Sequence, residues 1–138
     1  KAIIAGYAIM FIFFLSYYFG GYNDHISYAF RGGVENAVTY VNKERFTDVG
    51  VDSSIYYPQI LFFDQTPHVE YMETVEYTNY PSAFLDVEQF GKYKFGIDYD
   101  NLEQREAYII DSNREEIFTK LGYHVVRFEN YSVVYKGN

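Results

Sequence analysis

Two carboxylates one residue apart form the most suggestive chemical pattern in the sequence. Asp98 and Asp100 follow the apolar stretch Phe95–Ile97, and Asn101 and Glu103 add further oxygen donors. Hard cations such as Mg²⁺, Mn²⁺ and Ca²⁺ prefer oxygen ligands, so this segment could hold one of them, against a diphosphate or in a loop. The chain has 19 acidic residues in 138, however, and such pairs also arise by chance. Asp98 and Asp100 are therefore weak metal candidates, and a solvated acidic loop is the alternative.

Tyrosine is the second candidate source of chemistry, because the chain contains 17 tyrosines and no tryptophan. A tyrosine ring offers a sugar both a flat face and a hydroxyl group. Half-buried strand positions also favour tyrosine, so packing is the alternative interpretation. The candidate ligand-binding residues are Tyr56, Tyr57, Tyr71 and Tyr93, with Tyr77 and Tyr80 as neighbours in the sequence.

The familiar catalytic and cofactor motifs do not occur in the sequence. Gly20-Gly21 and Arg31-Gly32-Gly33 match neither a dinucleotide-binding nor a P-loop pattern, and no G-x-S-x-G is present. The three histidines, His25, His68 and His124, are far apart, and the absence of cysteine rules out thiolate chemistry and zinc–cysteine sites. The sequence therefore predicts no catalytic residue and no cofactor.

The elements that must position these residues alternate between strands and helices. A helix starting near Arg31 has Phe30, Val34, Ala37, Val38 and Val41 on one face. The remaining predicted elements are a short strand over 48–52, a helix over Ile55–Phe63, a strand over Val69–Tyr77, a loop with a short strand over Phe90–Ile97, a strand over Ala107–Ile110, a helix over Arg114–Leu121, and strands over Tyr123–Phe128 and Tyr131–Tyr135. This order predicts an α/β fold, a small three-layer mixed sheet with flanking helices and a C-terminal β-hairpin.

An uncharged apolar segment, residues 2–19, precedes this body. As a helix it would be about 27 Å long, close to the thickness of a bilayer core, and aromatic residues crowd its C-terminal end. We therefore predict an apolar transmembrane segment over 1–22, with the membrane as partner through residues 2–19, and a soluble α/β domain over 23–138. A buried core helix is the alternative. Lys1 before the segment and an acidic body after it predict that the body faces outward.

The charge of the chain excludes one class of partner. The net charge is −8, and the pI is about 4.7. Lys1 is the only charged residue before Asp24, so the body has 10 basic and 19 acidic residues, a net charge of −9. Nucleic acids bind proteins through clustered Lys and Arg, so no nucleic-acid partner is expected.

The order of several segments resembles a known class of membrane enzyme. After an apolar exit rich in Tyr and Phe, the chain has FRGGVENAVTYV (30–41), YYPQILFF (56–63), TVEY (74–77), FGKYKFGID (90–98), Gly122-Tyr123 and FENYSVVY (128–135). The resemblance that these segments carry extends over nearly the whole chain. They are similar to the C-terminal extracytoplasmic portion of bacterial polytopic membrane glycosyltransferases of the protein O-mannosyltransferase-like class.

The resemblance implies a function without a catalytic residue in this chain. Such enzymes transfer a sugar from a polyprenyl-phosphate donor, and their catalytic carboxylates lie on an early extracytoplasmic loop that nothing here matches. The chain would then be a non-catalytic domain at the extracytoplasmic face of the cell membrane, for recognition or positioning of a glycan or protein acceptor. Two alternatives remain: a membrane-tethered sensor or adaptor domain without transferase activity, and a small metal-dependent domain built on Asp98 and Asp100. The sequence upstream of Lys1 would discriminate between the glycosyltransferase domain and the sensor or adaptor domain.

Overall fold

The computed structural model describes residues 2–137, which divide into two compact units between Gly32 and Gly33. The first unit contains helix α1 (Ala2–Phe19) and helix α2 (Gly21–Ala29). The predicted domain boundary after residue 22 stays a prediction; helix α2 runs across that position, and the compact second unit begins at Gly33.

Helix α1 presents apolar side chains all round. Its large hydrophobic residues are exposed, for example Ile3 at 76% and Phe14 at 56%, and the ring of Phe14 stacks on Tyr18 with centroids 5.6 Å apart. By length and mean hydropathy, none of the helices within residues 2–137 qualifies as a membrane span. The predicted insertion of residues 2–19 into a bilayer stays a prediction.

The second unit is a mixed α/β domain around a seven-stranded sheet, which confirms the predicted fold class. Its elements are α3 (Val34–Lys43), β1 (Val49–Val51), α4 (Tyr57–Asp64), α5 (His68–Thr74), β2 (Glu76–Tyr77), β3 (Val87–Phe90), β4 (Tyr93–Phe95), β5 (Ala107–Asp111), a 3₁₀ helix (Ser112–Arg114), α6 (Glu115–Lys120), β6 (His124–Phe128) and β7 (Tyr131–Tyr135). The strand order is β2-β3-β4-β1-β5-β7-β6.

Three parallel strands form the centre of this sheet. Strand β1 pairs in parallel with β4 and with β5, so that Val51 lies between Phe95 and Ile109. The outer pairs are antiparallel, and β6 and β7 form the predicted C-terminal hairpin. Because parallel strands are buried on both faces, β1 has the continuous apolar character expected of a central strand.

Two hydrophobic cores lie on the two faces of the sheet. Along β5, Ala107 and Ile109 belong to the core shared with α3 and α4, whereas Tyr108 and Ile110 belong to the core shared with Phe118 of α6. Side chains alternate across a strand, so this division means that helices cover both faces. The central strands are thereby fixed in place, and their carboxyl ends are held at one edge.

Helix α3 has its predicted apolar face, with Val34, Ala37, Val38 and Val41 fully buried. Phe30, which the sequence placed on the same face, precedes the helix and is 80% exposed. The helix begins after Gly33, whose φ of +98° lies in the left-handed region. A β-carbon there would be 2.0 Å from the carbonyl oxygen of Phe128, so only glycine fits this start.

The predicted strand over Val69–Tyr77 is wrong, because most of it is helix α5 and only two residues form β2. Tyr71 and Val75 are the side chains that pack on the core, and their spacing of four is helical. Glu73 already broke the strand-like alternation in the sequence. The predicted loop with a short strand over Phe90–Ile97 does contain a short strand, β4, which forms a tight hairpin with β3 that turns at Gly91, with φ of +50°.

Candidate functional site

The carboxyl ends of the three parallel strands bring polar segments to one edge of the sheet. Asp52 follows β1, Gly96 follows β4, and Asp111 is the last residue of β5. The backbone joins these ends, since Gly96 N donates to Val51 O at 3.0 Å and Asp52 N donates to Ile109 O at 2.9 Å. Open α/β sheets bind ligands in the crevice outside the carboxyl ends of their strands, so this edge is the first place to look for a site.

Asp52 is the most buried carboxylate at this edge, with 6% of its surface exposed. Its Oδ1 accepts a hydrogen bond from Ser54 N at 2.8 Å, and its Oδ2 accepts one from the Tyr99 hydroxyl. The segment Asp52-Ser53-Ser54 has the composition of a helix N-cap and predicts a cap for the helix that follows. In the structure the N-cap of α4 is Tyr56, so Asp52 instead closes the turn that leads to it.

Tyr99 links the loop after β4 to the loop after β5. The guanidinium of Arg114 lies 5.0 Å from the centre of its ring, and Phe118 packs edge-on against the same ring. Burial, and then the hydrogen bond to Asp52, raise the pKa of Tyr99 well above its ordinary value. The hydroxyl therefore stays a neutral donor, and the Asp52–Tyr99 pair acts to fix the loops in place.

Asp98 and Asp100 occupy an exposed turn after β4. The Asp98 Oδ1 accepts hydrogen bonds from Asp100 N at 3.0 Å and from Asn101 N at 3.3 Å, which is the geometry of an Asx turn. Within residues 2–137, no group of three or more His, Cys, Asp and Glu side chains is arranged to hold a metal ion. Turn formation thus accounts for the Asp98 carboxylate, and its metal role stays a prediction.

A groove of about 490 Å³ opens at the same edge, beside the ends of β1 and β4. The β1–α4 connection contributes Tyr56 and Tyr57, and the segment before and within β3 contributes Leu85 to Glu88. Together its twelve lining residues are Ser53, Ile55, Tyr56, Tyr57, Pro58, Thr78, Leu85, Asp86, Val87, Glu88, Phe95 and Gly96. We call this site the Tyr56 groove.

The lining of the Tyr56 groove combines an exposed aromatic ring with acidic and hydroxyl groups. Tyr56 is 64% exposed. Asp86 is exposed, and one of its carboxylate oxygens accepts a hydrogen bond from Asn79. The half-buried Glu88 carboxylate has no hydrogen bond or ion pair among the described residues. None of the lining residues described for this groove is basic. Aromatic faces beside carboxylates are suited to binding the C–H face and the hydroxyl groups of a sugar.

Two of the four candidate tyrosines lie in the groove, and two do not. Tyr71 stands behind Tyr57, with the rings parallel to within 10° and their centroids 6.2 Å apart, and its edge meets Phe90. Tyr93 is 1% exposed, and its hydroxyl donates to Asp64 Oδ1 at 2.6 Å. Burial, followed by this hydrogen bond, raises the pKa of Tyr93 well above its ordinary value. Tyr93 is therefore a core packing residue, and its ring has no access to a ligand. Tyr71 packs against the face of Tyr57 that is turned towards the protein.

Each of the other cavities described has at least one lysine or arginine in its lining. A cavity of about 590 Å³ contains Asp64, which is hydrogen-bonded to Tyr93 and Thr66. One of about 720 Å³ contains Arg105, which forms ion pairs with Asp48 and Glu103. An enclosed cavity of about 60 Å³ beneath Tyr108 has room for only a few water molecules. The Tyr56 groove differs because its described lining combines an exposed aromatic ring and two carboxylates with no basic residue.

Sequence reasoning missed the acidic side of the groove. Asp86 and Glu88 form one of the acidic pairs that arise readily by chance in a chain with 19 acidic residues, and Thr78 and Ser53 carry no signal. Glu88 lies on the same face of β3 as the buried Phe90, two residues further on. A charged residue at a position where the strand alternation predicts an apolar one is the pattern that could have identified Glu88 from the sequence. The groove itself depends on strand pairing between β3 and β4, which no local pattern predicts.

Fold and site together define an acidic mixed α/β domain with a tyrosine-lined groove at the carboxyl edge of its parallel strands. Comparison with protein families, with curated proteins and with solved structures finds no match for the chain.

Proposed function

We propose that this chain is the non-catalytic extracytoplasmic domain of a bacterial membrane glycosyltransferase, and that its Tyr56 groove binds a glycan or the glycan-bearing part of an acceptor. Attachment to the membrane would be through residues 2–19. The observation that carries the proposal is the Tyr56 groove, where an exposed aromatic ring stands beside the carboxylates of Asp86 and Glu88.

The non-catalytic assignment rests on the order of the segments that resemble the glycosyltransferase class, because the catalytic loop of that class lies upstream of the matching part. The hydrogen bonding at the carboxyl edge supports it. Asp52, Asp98 and Asp111 each accept a backbone N–H within their own loop, so these carboxylates serve turn formation. Recognition is then the task that the groove can perform.

Sugar binding by the full chain tests the proposal. We expect methyl α-mannoside or a short mannose oligosaccharide to shift the backbone amide resonances of the groove residues in a titration followed by NMR. Removing the ring in Tyr56→Ala should weaken binding by about tenfold, the value of one aromatic contact. Phe62→Ala is the matched control, because Phe62 is 75% exposed but lies outside the groove.

Two results would contradict the proposal. If no neutral sugar shifts the groove resonances, the groove does not bind glycans of this kind. Sugar transfer by the chain alone, from a polyprenyl-phosphate donor, would show that it is catalytic. The gene sequence upstream of Lys1 is an independent check, since several further hydrophobic spans and an acidic first loop are expected there.

A further inference from the structure

The loop between β2 and β3 exposes aromatic side chains on a stretch without charged residues, which Glu76 and Asp86 flank. Residues 77–85, YTNYPSAFL, contain no charged residue. At the tip of the loop Tyr80 is 77% exposed and Phe84 is 87% exposed, and Leu85 is 39% exposed. Folded domains expose scattered apolar residues routinely, but two exposed rings on one stretch without charged residues form a surface that favours an apolar partner.

Hydrogen bonds at its base hold this loop in shape. Asn79 Nδ2 donates to Phe84 O and to Asp86 Oδ2, both at 2.9 Å, and Asp86 N donates back to Asn79 Oδ1 at 2.8 Å. Thr78 N also donates to Asp86 O at 3.0 Å. These hydrogen bonds fix the loop backbone in a conformation that leaves Phe84 exposed. Contact with a partner would therefore cost little conformational entropy in the loop.

We propose that this loop inserts Tyr80, Phe84 and Leu85 into the interfacial layer of a neutral lipid bilayer. The inference rests on the proposed function, in which residues 2–19 attach the chain to a membrane. A phenyl ring and a tyrosine with its polar hydroxyl, on one short stretch without charged residues, are the composition that occurs where proteins meet the lipid interface. The body carries a net charge of −9 and the loop has no Lys or Arg, so a neutral surface fits it better than an anionic one.

Attachment through residues 2–19 makes so small a contact effective. Three side chains alone would hold a domain on a bilayer only weakly, but tethering to the same surface raises their effective concentration to about the millimolar range. Leu85 belongs to the loop and also lines the Tyr56 groove, with Asp86 next to it. Insertion of the loop would therefore bring the groove to the lipid surface, where a polyprenyl-linked sugar or a membrane-bound acceptor is found.

The chain contains no tryptophan, so a single introduced one is a specific fluorescent probe. We would reconstitute full-length Phe84→Trp with neutral phosphatidylcholine vesicles and measure quenching by phosphatidylcholine brominated on its acyl chains. Phe62→Trp is the matched control, because Phe62 is similarly exposed, at 75%, on α4. Co-flotation of the protein with the vesicles reports the attachment separately, and circular dichroism confirms that both variants are folded.

We expect both variants to float with the vesicles and the tryptophan of Phe84→Trp to be quenched severalfold more than that of Phe62→Trp. If the chain floats and the two tryptophans are quenched equally, the loop does not insert, and the attachment through residues 2–19 stands without it. If the chain does not float, the attachment in the proposed function is wrong, and the loop proposal fails with it.

Discussion

The hydroxyl of Tyr93 on β4 donates a hydrogen bond of 2.6 Å to Oδ1 of Asp64 at the end of α4. The same oxygen accepts from Asn42 Nδ2 at 3.0 Å, and Oδ2 accepts from Thr66 Oγ1 at 2.6 Å. One half-buried carboxylate thus connects two helices to the central part of the sheet. Burial raises the pKa of Asp64, but the hydrogen bonds from Thr66, Tyr93 and Asn42 outweigh it, so the net pKa lies below its ordinary value of 3.8.

The first prediction concerns acid stability. A carboxyl group whose pKa is lowered by folding contributes stability that is present above its ordinary pKa and is lost as the pH falls through the folded pKa. We therefore expect the free energy of unfolding to fall as the pH drops below about 4, with Asp64 as one contributor. Asp64→Asn should reduce that dependence and lower stability at pH 7 by about 1 kcal/mol. Urea unfolding at pH 7 and at pH 3.5 measures both effects.

Tyr93→Phe is the companion variant, because it removes one donor and leaves the carboxylate in place. Its acid dependence should lie between those of the wild type and of Asp64→Asn. An Asp64→Asn protein that loses stability in acid as steeply as the wild type would show that other carboxylates control the acid transition.

The second prediction concerns the contact between Gly50 and Tyr108. Gly50 lies in the middle of β1, and a β-carbon there would be 2.6 Å from Cδ1 of Tyr108. Gly50→Ala should therefore destabilise the domain by about 1–3 kcal/mol, the usual cost of overpacking. The same substitution in a Tyr108→Leu background should cost less, because the smaller side chain frees the space. Equal costs in the two backgrounds, measured by urea unfolding, would mean that the ring moves aside freely.

The third prediction follows from the acidic lining of the Tyr56 groove and depends on the proposed function. Glu88 and Asp86 stand there without a basic residue among the described lining, so a uronic acid should bind more weakly than the matching neutral sugar. Glu88→Gln should improve binding of galacturonic acid relative to galactose, with little effect on galactose itself. Asp100→Asn is the control, since it removes an exposed acid outside the groove. If the wild type bound galactose and galacturonic acid with the same affinity, the acidic charge of the groove would not determine which sugar it binds.

Sequence patterns predicted the elements whose periodicity is complete within one segment. The face of α3 is correct because Val34, Ala37, Val38 and Val41 repeat at helical spacing, and the β6–β7 hairpin is correct because both strands flank one turn. By contrast, α5 has only seven residues, which is about two turns. In so short a segment the helical and strand patterns of apolar residues overlap, and contacts with the core decided between them.

The site was predictable only in part, for a related reason. Residue type singled out Tyr56 and Tyr57 as candidates, and both line the groove. The same reasoning selected Tyr93, which is buried and whose hydroxyl donates to Asp64, a residue 29 positions away in the sequence. Burial of a tyrosine is set by which strands become neighbours. The order β4-β1-β5 joins segments that are far apart in the chain, and no local pattern contains that information.

The last prediction separates turn formation from metal binding at Asp98. Its Oδ1 accepts two backbone N–H groups, from Asp100 and Asn101. An asparagine has an oxygen in the same place, so Asp98→Asn should preserve the turn and the stability, whereas Asp98→Ala should cost about 0.5–1 kcal/mol. Calorimetry with Mn²⁺ and with Ca²⁺ should give no binding heat that either substitution abolishes. A heat of binding lost in both variants would instead identify Asp98 as a metal ligand, because the amide cannot replace the charge of the carboxylate.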